Sequence, residues 1–102
     1  MYTFFLTPLA RQDLCDIRDY IRDTLSAPES AKSLMRAFQD AFEKACRFPE
    51  SLPPVTDPYL RQRGYRKIIV KRYIAFVLID QARESVDIMR VLYYARKYED
   101  LL

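Results

Sequence analysis

The 102-residue sequence contains no histidine, one glycine (Gly64) and two cysteines (Cys15 and Cys46). Each scarcity excludes something. Without histidine, Ser-His-Asp and Cys-His catalysis are impossible, and any proton transfer must use Asp, Glu, Lys, Arg, Tyr or water. Cys15 and Cys46 do not form a CxxC pair, so the usual Cys/His zinc sites have no ligand set. Both cysteines fall within predicted helices at unequal distances from the intervening turn, which favours buried free thiols in a reducing compartment. A single glycine rules out a glycine-rich phosphate loop. No apolar run approaches the ~20 residues of a membrane span. The opening MYTFFLTPLARQDL lacks the charged n-region of a secretory signal, so the expected location is the cytoplasm.

What is present suits one folded domain over residues 1–102. Half the residues are hydrophobic and 30% are charged, which argues against disorder. At 12.2 kDa, roughly two-thirds of the unfolded chain's surface is buried on folding, enough for a core without metal or disulfide staples.

Tyr2–Leu6 reads as a short strand with Tyr2, Phe4 and Leu6 on one face. Thr7-Pro8 then opens a helix, as N-cap and first helical residue. Ala10, Leu14, Ile17, Ile21 and Leu25 form its apolar stripe. Ser26-Ala27-Pro28-Glu29 has capping-box spacing and starts a second helix. Its stripe is Ala31, Leu34, Met35, Phe38, Ala41, Phe42 and Ala45, and Phe48-Pro49 closes it. Phe38, Phe42 and Phe48 are expected core residues. Residues 49–58 contain four prolines without apolar periodicity and read as a loop. Tyr65–Val70 and Tyr73–Ile79, separated by Lys71-Arg72, read as a hairpin with the second run central in a sheet. A turn over Asp80–Glu84 leads to a strand over Val86–Tyr93, and Tyr94–Leu102 reads as a short helix. The order is β-α-α-β-β-β. The fold class is α+β, an antiparallel sheet with a helical hairpin packed on one face.

Charge is unevenly placed. Between Pro58 and Ile79 stand Arg61, Arg63, Arg66, Lys67, Lys71 and Arg72 without one acidic residue. Residues 8–48 carry seven basic and seven acidic side chains. Tyr59, Tyr65 and Tyr73 interleave with the basic zone, a composition that suits a phosphate backbone with unstacked bases. It equally suits an acidic protein segment or a strand edge kept soluble by its charges. Asp13, Asp16, Asp19 and Asp23 share overlapping faces of the first helix, but Arg11, Arg18 and Arg22 alternate with them. That pattern reads as a salt-bridged exposed face rather than a metal site. Tyr93-Tyr94 closes the last strand, flanked by Arg90 and by Arg96-Lys97. Tyr with Arg or Lys can perform acid/base and phosphate chemistry without histidine. The competing reading packs one tyrosine inside and leaves the other outside.

Gly64-Tyr65-Arg66, Arg72-Tyr73-Ile74-Ala75-Phe76 and Ile88-Met89-Arg90-Val91-Leu92-Tyr93-Tyr94-Ala95-Arg96 together resemble the C-terminal half of RelE/ParE toxins, the toxin halves of type II toxin–antitoxin modules. Leu9-Ala10-Arg11-Gln12-Asp13-Leu14, followed by Ile17, Tyr20-Ile21 and Ala31, is similar to their first helical hairpin, and Phe48-Pro49 to its end. RelE-like members cut mRNA on the ribosome without a metal; ParE-like members poison DNA gyrase. Ile74 stands where RelE- and YoeB-like nucleases carry an arginine. Arg66 matches one of their paired basic residues, Ile68 falls at the other, and the C-terminal histidine of YoeB-like members has no counterpart. Arg90-Val91-Leu92 with Ala95-Arg96 reads closer to the ParE-like ending.

The resemblance therefore implies a growth-inhibiting toxin of the kind linked to plasmid stabilisation, leaning to gyrase, with mRNA cleavage as the alternative. It implies no cofactor. Its implied partner is an antitoxin encoded next to it, with a heterotetramer among the implied assemblies. If the protein is a nuclease, Arg66, Arg90, Tyr93 and Tyr94 are the candidate catalytic residues. Arg61, Arg63, Arg66, Lys67, Lys71, Arg72, Arg96 and Lys97 are the candidate contacts to target or antitoxin.

Overall fold

The computed structural model describes residues 1–94. Its elements are strand β1 (Thr3–Leu6), helix α1 (Pro8–Asp19) running on as a π-helical turn (Tyr20–Thr24), helix α2 (Pro28–Arg47), a 3-10 turn (Pro49–Ser51), helix α3 (Pro58–Gln62), and strands β2 (Arg66–Val70), β3 (Tyr73–Asp80) and β4 (Ser85–Tyr93). The α+β order expected from the sequence is present, with α3 added between the loop expected over residues 49–58 and the hairpin. Asp57 explains α3: its carboxylate accepts from the Leu60 N–H at 3.0 Å, and Pro58 fills the first helical position.

The sheet runs β1-β4-β3-β2. Strands β2, β3 and β4 form the expected antiparallel meander, whereas β1 pairs parallel to β4, so the sheet is mixed. The parallel pairing follows from the helical hairpin, which returns the chain over one face before the meander begins. β3 is central, with β4 and β2 on either side.

α2 supplies the main helical contribution to the core. Ala31, Leu34, Phe38, Phe42 and Ala45 are buried at spacings of three and four, against Ile68, Val70, Ala75, Val77, Val86, Ile88 and Val91 of the sheet. An aromatic chain crosses this layer: Phe4–Phe42, Phe42–Phe38, Phe38–Tyr73 and Tyr73–Tyr93 have centroids 5.4, 6.0, 5.8 and 5.7 Å apart. The opposite face carries a second cluster in which Val55 and Leu60 cover Ile74, Phe76 and Leu92.

Three local expectations are corrected. Phe48 is 61% exposed, because the chain turns into the 3-10 segment there and the buried stripe ends at Ala45. The Ser26 capping box does not form: Ser26 takes a positive φ of 52° to make the tight link, so Ala27 becomes the N-cap without a side-chain bond. Leu25 is exposed at the end of the π-helical turn. The helix expected over Tyr94–Leu102 falls on residues 95–102, outside the described residues, apart from Tyr94 in a turn.

Candidate functional site

The basic zone is one stretch in sequence but three places in the fold. At the β2–β3 turn, Lys71 and Arg72 are exposed, and neither has an ion pair among the described residues. Lys71 adopts φ 56°, as the two-residue hairpin requires. The turn brings in β4's end: Tyr73 lies opposite Tyr93 in register, and the Tyr94 N–H donates to the Arg72 carbonyl at 2.9 Å. Tyr93 and Tyr94 are both exposed. Burial, then the neighbouring Tyr93 and Tyr20, push the Tyr73 hydroxyl above its ordinary pKa. Beside the turn, a cleft of about 540 Å³ is lined by Ile21, Glu29, Ser33 and Leu34 as well as Lys71, Arg72 and Tyr73.

The second place is α3. The Arg63 guanidinium lies 3.5 Å from the Tyr59 ring centroid and donates to the Tyr59 carbonyl at 3.2 Å, with Arg61 exposed two residues before it. Stacking of this kind fixes a cation in place while leaving its charge at the surface.

The third place is the start of β2. Arg66 donates to the Leu52 carbonyl at 2.8 Å and to the Glu50 carbonyl at 3.3 Å, and its guanidinium lies 3.8 Å from the Glu50 carboxylate. Asp80 and Asp87 line the same cavity of about 610 Å³. Arg66 therefore anchors the segment after α2 in an acidic setting. Lys67, one residue on, lies in register with Phe76, which pairs with Arg90.

Arg90 is held most firmly. Its Nε and Nη2 donate to the two Asp13 carboxylate oxygens at 2.8 and 2.9 Å, and Asp13 also accepts the Val91 N–H at 2.9 Å. The hydrogen bond to Asp13 raises the Arg90 pKa against a desolvation that lowers it. The pair sits where β1 has ended and β4 would expose an edge. There the β3–β4 register skips Met89, and the Thr7 hydroxyl donates to the Met89 carbonyl at 2.8 Å. Side chains from the start of α1 thus satisfy the β4 backbone beyond β1.

Asp13 was legible only as part of an exposed acidic face. That reading suits Asp19 and Asp23, which pair with Arg18 and Arg22. The signal for Asp13 was its position, three residues after buried Ala10 and four before Ile17, on the apolar stripe itself. Of the proposed catalytic residues, Tyr93 and Tyr94 share the β2–β3 turn end, while Arg66 and Arg90 stand elsewhere, each bonded to the chain. Arg96 and Lys97 lie outside the described residues.

A family model for the ParE toxin of type II toxin–antitoxin systems (parDE) matches residues 4–98. The chain belongs to the ParE toxin family. The fold of this ParE-family chain is similar to a structure of the chromosomal ParDE toxin–antitoxin system from P. aeruginosa. The TM-score is 0.73 at 18% identity, over 91% of this chain and 96% of that one. It is also similar to the toxin–antitoxin complex RelBE2 from Mycobacterium tuberculosis, with a TM-score of 0.63 at 23% identity over 93% of both chains. No curated protein matches the sequence. Among the described residues of the ParE-family chain, no helix is long and apolar enough to cross a membrane.

Proposed function

We propose that this ParE-family toxin arrests growth by binding DNA gyrase rather than by cutting mRNA, and that an antitoxin encoded beside it in the cytoplasm neutralises it. The observation carrying the proposal is the state of the two arginines a nuclease would need. Stabilising a phosphorane-like transition state calls for cations aimed at the reacting phosphate. Here Arg90 is bound bidentately by Asp13, and Arg66 donates to the Glu50 and Leu52 carbonyls.

The surface left for a partner is the β2–β3 turn end. Lys71 and Arg72 offer positive charge beside exposed Tyr93 and Tyr94, and Arg61 and Arg63 present a separate positive site on α3. Aromatic side chains with arginine are the usual anchors of protein interfaces. An acidic antitoxin segment complements the same charges, and coupled folding of such a segment suits neutralisation within a heterotetramer. In its cellular role such a toxin serves plasmid stabilisation.

The test adds the purified protein to gyrase, ATP and relaxed plasmid, and separately to a translating extract. The expected result is loss of supercoiling with mRNA intact. Cleaved mRNA with normal supercoiling overturns the proposal in favour of the RelE-like endoribonuclease, with Arg66, Arg90, Tyr93 and Tyr94 as its catalytic candidates.

A further inference from the structure

The sheet has two edges, and they are treated differently. The β2 edge is partly covered: Pro54 bridges to Arg66, the Lys67 N–H donates to the Pro53 carbonyl at 3.0 Å, and the Val55 N–H donates to the Tyr65 carbonyl at 3.2 Å. The β1 edge has no such cover. The Thr3 N–H donates to the Glu84 carbonyl and the Thr7 N–H to the Ile88 carbonyl, both at 3.1 Å. The parallel ladder therefore turns Thr3, Phe5 and Thr7 toward β4 and turns the N–H and C=O groups of Phe4 and Leu6 outward. Among the described residues nothing bonds to those outward groups. Proteins normally blunt an open edge with a charge, a proline or a bulge. Thr3-Phe4-Phe5-Leu6 has none of these.

We propose that β1 is an interface between two copies of this chain, formed by antiparallel pairing of β1 with itself about a twofold axis at Phe5. The outward groups define that register. Phe4 of one copy meets Leu6 of the second copy as a hydrogen-bonded pair, and the symmetry repeats the pair, so all the outward groups are satisfied. Phe5 faces Phe5 of the second copy as the non-hydrogen-bonded pair, where side chains approach most closely. Phe5 is 50% exposed, a large apolar side chain that this pairing covers.

The ends of the strand fit the same symmetry. The twofold axis brings Met1, fully exposed before the strand, to the end of the second copy's strand where its α1 begins and Leu9 is 60% exposed. A groove of about 690 Å³ beside Met1, lined by Tyr2, Phe4, Cys46 and Pro49, opens at that end. A four-residue ladder alone falls short of the ~800 Å² per partner of a standard interface. Exposed Met1 and the groove beside it enlarge it, and the expected dimer is a reversible one.

The test is sedimentation of the full chain across a wide concentration range. The wild type is expected to dimerise reversibly. Phe5→Lys and Phe5→Glu each place like charges opposite one another and weaken association by about tenfold or more. An equimolar mixture of the two is expected to recover the dimer, since Lys then faces Glu. In the wild type, exchange of the Phe4 and Leu6 amides is expected to slow as concentration rises, a readout that needs no variant. A mixture that stays monomeric, variants that dimerise like the wild type, or amide exchange independent of concentration overturns the proposal. A monomeric wild type whose same two amides are protected by a strand-forming partner peptide also overturns it and assigns the edge to another chain.

Discussion

Asp13 on α1 binds Arg90 on β4 through both carboxylate oxygens, at 2.8 and 2.9 Å, and the two side chains are only 12% and 15% exposed. The carboxylate also holds the Val91 N–H, so one residue pins the first helix to the edge of the last strand. Removing either partner leaves a poorly solvated charge behind. Asp13→Ala and Arg90→Ala are each expected to cost about 3–5 kcal/mol, and the double variant clearly less than their sum. Denaturant unfolding of all three variants measures this. Additive losses would mean that the pair does not act as a unit.

Phe42 and Phe48 look alike in sequence and differ in the fold. Phe42 is buried against Phe4 and Phe38, whereas Phe48 lies outside. Phe42→Ala is expected to cost about 3–5 kcal/mol, and Phe48→Ala to stay within about 0.5 kcal/mol of the wild type. Thermal unfolding of the two variants separates them.

That contrast shows how far sequence alone reached. Periodicity identified β1 and both long helices, because alternation and 3.6-residue spacing act over whole elements, and the β-branched and aromatic content of the later runs identified the meander. It misassigned residues at element ends such as Phe48 and Ser26, where the path of the next few residues decides burial. The parallel pairing of β1 depended on where the hairpin returned the chain. The site was less legible still. Linear proximity of Arg61–Arg72 suggested one patch, but a five-residue strand separates Arg66 from Lys71 by ~17 Å. Asp13 was hidden among acids that are truly exposed.

Lys71 separates charge from folding. Its φ of 56° is strained for a residue with a Cβ and comfortable for glycine. Lys71→Gly is expected to keep or raise stability, by up to about 1 kcal/mol, while removing one of the two exposed turn cations. Toxicity on induced expression is expected to fall while Tm does not. Undiminished toxicity would remove Lys71 from the target surface.

Tyr73 gives a pH signature. Burial raises its folded pKa above the unfolded value near 10.0, so the unfolded chain releases that proton first. The stability it contributes is complete below about pH 10 and is lost as pH rises through the folded value. Stability measured from neutral to strongly alkaline pH is expected to fall more steeply in the wild type than in Tyr73→Phe. Equal slopes would mean that Tyr73 titrates as an exposed tyrosine does.

The measurement that bears most directly on the function is pulse labelling after induction, with thymidine and methionine followed in parallel. The account predicts that thymidine incorporation falls first while messenger RNA stays whole. Early collapse of methionine incorporation with cut messages would contradict it.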